Sequence, residues 1–74
     1  MDAPVERFCA QHDPIRNEWG VYDTQNQRFV NFGIRNPGGT ISRWEEQENA
    51  ERAASRMNNA TPERRSAWVK HGLP

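Results

Sequence analysis

From residue 18 onward, the spacing of apolar residues changes once, from alternation to a helical repeat. In residues 18–23 and 28–34 apolar and polar side chains alternate, which predicts two strands that each bury one face. The connection between them is polar and lacks glycine, so a four-residue loop built on a type I turn is expected. Asn-Pro-Gly-Gly at residues 36–39 is a strong turn signal, and a third strand is predicted to begin near Thr40 and Ile41. Together these features predict a three-stranded antiparallel meander.

Helical spacing follows the predicted sheet. The main helix is marked by an apolar stripe of four residues, Ala50, Ala53, Ala54 and Met57. Glutamates precede arginines along this helix, which complements the helix dipole, and Glu48 is placed to pair with Arg52. Thr61 has the position of an N-cap, so a last helix is predicted through about His71, with Gly72 as its stop. The apolar residues of that helix, Trp68 and Val69, would face the core.

The amino terminus is predicted to be helical as well. Pro4 suits a first helical position, and residues 4–11 would form one or two turns with Val5, Phe8 and Cys9 on one face. The predicted fold class is α+β. A small three-stranded antiparallel sheet is packed by one main amphipathic helix, with short N-terminal and C-terminal helices. Residues 1–74 form a single small domain.

Two positions are open for Trp44. Ser42 and Glu45 have the spacing of a capping box, which would start the helix at Arg43 and leave Trp44 exposed. If the third strand instead runs through Trp44 and the helix begins near Glu46, Trp44 closes one end of the core. The first alternative favours a binding role, because tryptophan is enriched at binding hot spots.

The composition limits the size of the hydrophobic core, and the balance of charges leaves the chain without a net electrostatic field. Of 74 residues, 34% are apolar and 27% are charged, and ten basic residues balance ten acidic ones. A core of this size rarely supplies more than about 3–5 kcal/mol, so docking on a partner or dimerisation is expected. A single cysteine excludes an intrachain disulfide and favours a reducing compartment. No basic leader or apolar run of about 20 residues is present, so we expect a cytoplasmic protein without a membrane partner.

Candidate catalytic and metal-binding groups are incomplete. Cys9 and His12 have a tight spacing, but together with His71 they cannot complete a usual structural zinc site without a carboxylate such as Asp13. The glutamates between residues 45 and 51 are interpreted as a solvated helix face. We therefore expect no enzymatic activity, no catalytic residue, no metal and no cofactor.

The predicted sheet also has a second face. Tyr22 and Phe29 project to the side opposite Trp19, Val21, Val30 and Phe32, either as a second core layer or as an exposed aromatic pair. Arg28, Asn31 and Arg35 flank that pair. A second basic group begins in the second half of the main helix and extends into the last helix. It contains five cations and one acidic residue, Glu63; the cations are Arg52, Arg56, Arg64, Arg65 and Lys70. These cations are interpreted first as ordinary helix-terminal charges and second as a phosphate-facing patch.

Three segments carry a resemblance over roughly half the chain. They are Trp19-x-Val21-x-Asp23, Arg28-Phe29-Val30-x-Phe32 and Ala50-x-x-Ala53-Ala54-x-x-Met57-Asn58. This pattern resembles small phage- or plasmid-encoded β-meander-plus-helix proteins, a pool that includes anti-CRISPR and anti-restriction proteins. The resemblance implies binding and blocking of a host protein or nucleoprotein complex, in the host cell cytoplasm. A weaker likeness is to the three-stranded-sheet DNA readers at the amino termini of phage-type integrases.

The leading hypothesis is a non-enzymatic interaction module, because interfaces are enriched in aromatic residues and arginine. Its predicted partner-binding residues are Trp44, Tyr22, Phe29 and Arg35 as anchors, with Arg28 and Arg43 at the rim. One alternative is a sheet-based nucleic-acid-binding protein that uses Arg28, Arg35, Arg43 and the carboxy-terminal cations. A further alternative is a self-associating structural component, such as a homodimer.

Overall fold

The structure is a computed structural model that describes residues 6–33 and 42–73. Its elements are β1 (Phe8–Asp13), β2 (Glu18–Asp23), β3 (Arg28–Phe29), β4 (Arg43–Trp44), α1 (Gln47–Asn59) and α2 (Pro62–His71). A small antiparallel sheet packs against helices, so the predicted α+β fold class is confirmed. The predictions made for Pro4, Val5, Ile34, Arg35, residues 36–39, Thr40 and Ile41 lie outside the described residues. No helix in the described ranges is long and apolar enough to cross a membrane.

The amino-terminal segment is a strand, so the prediction of a helix through Gln11 is wrong for its described part. β1 pairs with β2 antiparallel along its full length, from Phe8 opposite Asp23 to Asp13 opposite Glu18. Neighbouring strand residues point to opposite faces. Phe8 is therefore buried in the core, whereas Cys9 lies on the other face beside Tyr22. The strand is favoured because it supplies backbone partners to one whole edge of β2.

Both hairpin loops have four residues, as predicted for residues 24–27. Each loop begins after an aspartate, and each ends at a residue with a φ of 55°, Asn17 in the first and Gln27 in the second. Asp13 Oδ1 accepts hydrogen bonds from the backbone N–H groups two and three residues later, and Asp23 Oδ1 does the same. An aspartate in this position stabilises a turn by replacing backbone partners.

The sheet order differs from the predicted meander. β2 is the central strand, and its second edge is shared by β3 and β4. Tyr22 lies opposite Phe29, whereas Gly20 lies opposite Arg43. Because β4 occupies that edge at Gly20, β3 cannot continue along β2 to residue 34 as predicted. The chain leaves the sheet after Val30, and Gly33 adopts a φ of 59°.

The core lies between α1 and the sheet face that carries Val21. The predicted stripe is confirmed, because its four residues are all buried: Ala50, Ala53, Ala54 and Met57. α1 begins at Gln47 with Glu46 as its N-cap, and Trp44 belongs to β4 and packs half-buried against the core. The second alternative for Trp44 is therefore the observed one.

The carboxy-terminal helix α2 begins and ends as predicted. The Thr61 side chain accepts a hydrogen bond from the Arg64 N–H, and Gly72 has a φ of 109° just after the last turn. Trp68 packs against the core. Val69 is 40% exposed, so the prediction that it faces inward is wrong.

Candidate binding groove

The outer face of the sheet, opposite α1, carries the predicted aromatic pair. The rings of Tyr22 and Phe29 meet edge to face with their centroids 5.4 Å apart. Both side chains are half-buried. Edge-to-face contact is a favoured arrangement of aromatic rings. The pair therefore lies half-buried on the outer face, whereas Arg28 lies on the inner side opposite Asp23, and the partner-binding role of the pair stays a prediction.

Arg43 lies on the same outer face but is not an accessible rim residue. Its Nε donates to Asp13 Oδ2 at 2.9 Å, and its side chain is only 7% exposed. The guanidinium lies 4.5 Å from the centroid of the Phe29 ring and also donates to Asn31 Oδ1. Because its charge is already paired inside the protein, Arg43 stabilises the sheet. This position corrects its predicted place at the rim.

Gly20 makes this arrangement of Arg43 possible. A Cβ at residue 20 would lie 2.9 Å from Cδ of Arg43 and 3.0 Å from Cδ1 of Phe29. Contacts this short are repulsive, because carbon atoms pack best at about 3.5–4.0 Å. The absence of a side chain at Gly20 therefore lets the stem of Arg43 and the Phe29 ring lie directly on β2.

A groove of about 600 Å³ runs between β3 and α2. Its floor is apolar and includes Phe8, Val30 and Met57, which also belong to the core. Its wall is polar and charged, with the four cations Arg7, Arg28, Arg65 and Lys70 and the amides of Asn26 and Asn31. An apolar cavity with a few convergent polar groups is the usual form of a binding site.

One carboxylate, Asp23, lies among these cations and is neutralised by Arg7. The Arg7 guanidinium donates to both Asp23 oxygens at 3.1 Å. Burial opposes ionisation of Asp23, but the hydrogen bonds from Arg7 and Asn26 outweigh it and lower the pKa of Asp23 to about 2. The same hydrogen bond, against a smaller effect of burial, raises the pKa of Arg7. Asp23 is therefore ionised at neutral pH and compensates Arg7.

Arg65 is held against the floor of the groove. Its Nε donates to the carbonyl oxygen of Met57 at 2.7 Å, and its Nη2 donates to that of Asn58 at 3.2 Å. The guanidinium also lies 5.5 Å from the centroid of the Phe8 ring. These carbonyls belong to the last turn of α1, where a cation is stabilised by the helix dipole. Arg65 is thus pre-positioned by the fold.

Arg28 and Lys70 are the two exposed cations of the groove. Within residues 6–33 and 42–73, neither forms an ion pair. The other charges nearby are compensated, Arg7 by Asp23 and Arg65 by helix carbonyls. With four cations and one carboxylate in its lining, the groove has an excess of positive charge, and two of these cations are exposed, which suits a ligand that carries negative charge.

The chain offers no metal centre in the ranges that the structure describes, since no group of three or more His, Cys, Asp or Glu residues could hold an ion there. Cys9 and His12 lie on opposite faces of β1 because they are three residues apart in a strand. The His12 ring instead packs edge to face with the Trp19 ring, and the two ring centroids lie 5.4 Å apart.

The sequence identified only parts of this groove. Arg28 and Phe29 were predicted as binding residues, and Arg65 and Lys70 belong to the carboxy-terminal cations, but Arg7 was not singled out. The signal that could have identified Arg7 is Asp23, a carboxylate closing a hairpin beside the core, which needs a positively charged partner. Trp44 and Tyr22 do not line the groove.

Comparisons of the chain with protein-family models, with curated proteins and with solved structures find no match. The function of the chain is therefore inferred from the geometry of the groove.

Proposed function

We propose that this chain is a non-enzymatic protein-interaction module that binds an acidic segment of a partner protein in the groove between β3 and α2. The observation that carries this proposal is the presence of exposed Arg28 and Lys70, which lack an ion-pair partner among the described residues, next to the half-buried ring of Phe29. Acidic side chains would enter the groove and pair with the two cations, while the apolar part of the same segment would pack on Phe29. Charge complementarity of this kind steers association and selects the partner.

Two observations favour an acidic protein segment over nucleic acid. The floor of the groove, which includes Phe8, Val30 and Met57, is buried core surface rather than a phosphate-facing cation patch. In addition, Arg28 and Lys70 are the exposed cations among the residues that line the groove, whereas nucleic-acid binding depends on the neutralisation of many phosphates. A protein segment can supply acidic side chains for these two cations and an apolar side chain for Phe29.

The biological setting of the proposal comes from the sequence resemblance alone. A small phage- or mobile-element protein of this type would act in the host cell cytoplasm by occupying a surface that a host protein or nucleoprotein complex needs.

Charge reversal within the groove tests the proposal. A fluorescein-labelled peptide with alternating Glu and Val is titrated with the protein at about 50 and 200 mM salt, with anisotropy as the readout. We expect Lys70→Glu and Arg28→Glu each to weaken binding by about tenfold or more, since each replaces an attraction by a repulsion.

The matched control is Arg64→Glu, which makes the same charge change on α2 at an exposed residue that does not line the groove. Equal losses for Arg64→Glu and Lys70→Glu would mean that only net charge matters and would contradict a groove-specific site. Tighter, strongly salt-dependent binding of mixed-sequence duplex DNA would favour the nucleic-acid alternative instead.

A further inference from the structure

The hydrogen-bonding pattern of β3 leaves one residue with its backbone groups directed away from the sheet. In antiparallel pairs, residues alternate between those that bond to the neighbouring strand and those that face away. The Val30 N–H donates to the carbonyl oxygen of Val21 at 2.8 Å, so Val30 bonds to β2. Phe29 precedes it and lies opposite Tyr22. The N–H and C=O of Phe29 therefore point outward from β2.

This outward edge of β3 borders the groove, whose lining includes Arg28, Phe29, Val30 and Asn31. At the opposite edge of the sheet the equivalent groups are satisfied internally. Phe8 donates its N–H to Asn58 Oδ1 at 2.9 Å and accepts from Asn58 Nδ2 at 2.8 Å. No such side chain bonds to Phe29 among residues 6–33 and 42–73. An unpaired strand edge is a template for pairing with another chain.

The side-chain directions at this edge match the charges of the groove. Phe29 projects to the outer face, where its ring meets Tyr22, whereas its neighbour Arg28 lies on the inner side with Asp23. In a strand added next to β3, the residue opposite Phe29 would place its side chain on the outer face beside the Phe29 ring. The residues before and after it would point to the inner side, towards Arg28 and Lys70.

We propose that the acidic segment binds in an extended conformation, as an antiparallel strand added to β3, with the backbone of its apolar residue paired to the N–H and C=O of Phe29. Its recognition pattern is acidic–apolar–acidic: the apolar residue packs on Phe29, and the two acidic residues enter the groove. This inference rests on the proposed function, because it specifies how the same groove holds its ligand. Strand addition supplies affinity through main-chain hydrogen bonds and specificity through alternate side chains.

Backbone methylation of the peptide tests strand addition without altering the protein. The probe is the alternating Glu-Val peptide, prepared in two further versions. In the first, the valine amides are N-methylated, which removes the donors that would face Phe29. In the second, the glutamate amides are N-methylated, which removes the same number of donors from the side that faces solvent. Charge and composition are identical in the two versions.

We expect methylation of valine to weaken binding by about tenfold or more and methylation of glutamate to change it little, since each lost hydrogen bond leaves a backbone group unpaired. In amide exchange of the labelled protein, the unmodified peptide should protect the Phe29 N–H. Equal affinities of the two methylated peptides, or an unprotected Phe29 amide in a saturated complex, would overturn strand addition while leaving groove binding intact. No binding of the unmodified peptide would overturn the proposed function itself.

Discussion

Asp13 and Asp23 occupy equivalent positions in two successive hairpins, and each binds an arginine from a distant part of the chain. Each uses Oδ1 for the turn that follows it. Asp13 binds Arg43, which lies 30 residues later in the chain, whereas Asp23 binds Arg7, 16 residues earlier. The two pairs differ in the burial of the arginine side chain, which is 7% exposed for Arg43 and 37% exposed for Arg7.

This difference predicts unequal effects of the same substitution. In Asp13→Asn and Asp23→Asn the amide oxygen still accepts the turn hydrogen bonds, whereas the ion pair is removed in both and Asp23→Asn also loses the hydrogen bond from Asn26 Nδ2. Arg7 then reaches water, and Asp23→Asn should lower the melting temperature by about 5 °C. Arg43 stays buried without a counter-charge, so Asp13→Asn should lower it at least twice as far. Thermal unfolding followed by circular dichroism measures both, and a larger effect of Asp23→Asn would contradict the argument.

The ion pairs also predict acid sensitivity. The pKa of Asp23 is lowered to about 2, and the hydrogen bond from Arg43 lowers the pKa of Asp13 against the effect of burial. Depressed pKa values in the folded state mean that the unfolded state binds protons first as pH falls. The stabilisation from the Asp23 pair is therefore complete above pH of about 4 and is lost between about 4 and about 2, and that from the Asp13 pair also falls as the pH is lowered. Urea unfolding at pH 6, 4, 3 and 2 should show this fall, and Asp23→Asn should show a smaller one.

Gly20→Ala is predicted to destabilise the fold although alanine is compatible with a strand. The added Cβ would lie within 3.0 Å of both Arg43 and Phe29, which should cost about 1–3 kcal/mol in the free energy of unfolding. Gln11→Ala is the control, because Gln11 lies opposite Gly20 in β1 and is exposed. In the double variant with Phe29→Ala, part of the Gly20→Ala loss should be recovered. Purely additive losses would argue against the crowding explanation.

Asn58→Ala is predicted to be far more harmful than Asn59→Ala. Asn58 bonds both backbone groups of Phe8 and also donates to Glu6. Among the described residues, the Asn59 side chain bonds only to Ser55 in its own helix. Loss of the Asn58 amide should cost about 1–3 kcal/mol in the free energy of unfolding, because Phe8 is buried and its edge groups would be unpaired. Denaturant melts of the two neighbours compare equal chemical changes, and similar losses would mean that Phe8 is satisfied by water.

Local signals in the sequence predicted the helices and one hairpin. The α1 stripe and the caps of α2 at Thr61 and Gly72 follow from residues within one turn of each other. The placement of Tyr22 and Phe29 on the same face of the sheet follows from the alternation of side chains along each strand. The amino-terminal strand was missed because the adjacent apolar residues Phe8 and Cys9 can lie on one face of a helix, and this spacing was interpreted as helical. What decides between helix and strand is the pairing with β2, which local spacing does not encode.

The sheet order and the groove could not be predicted because both depend on residues far apart in sequence. β4 pairs with β2 across more than twenty positions, and it shortens β3 by taking its place along β2. The groove collects Arg7, Arg28, Arg65 and Lys70 from three separate segments. Arg28 had a local reason to be chosen, as a cation flanking an aromatic pair, and Arg65 and Lys70 had one as part of a local excess of cations, whereas Arg7 had none.

The sharing of one edge of β2 by β3 and β4 sets an order of assembly. β1, β2 and β3 are joined by four-residue loops, so their pairing needs little loop closure. β4, the Arg43–Asp13 pair and the Asn58–Phe8 bonds all require distant segments to meet. Until they do, Val21 has no helix to cover it, and two adjoining hairpins are marginally stable in water. Folding should therefore start from the paired hairpins and be completed when β4 and α1 dock on them in one step. The first half of the chain should then reach its final structure only when the second half has docked.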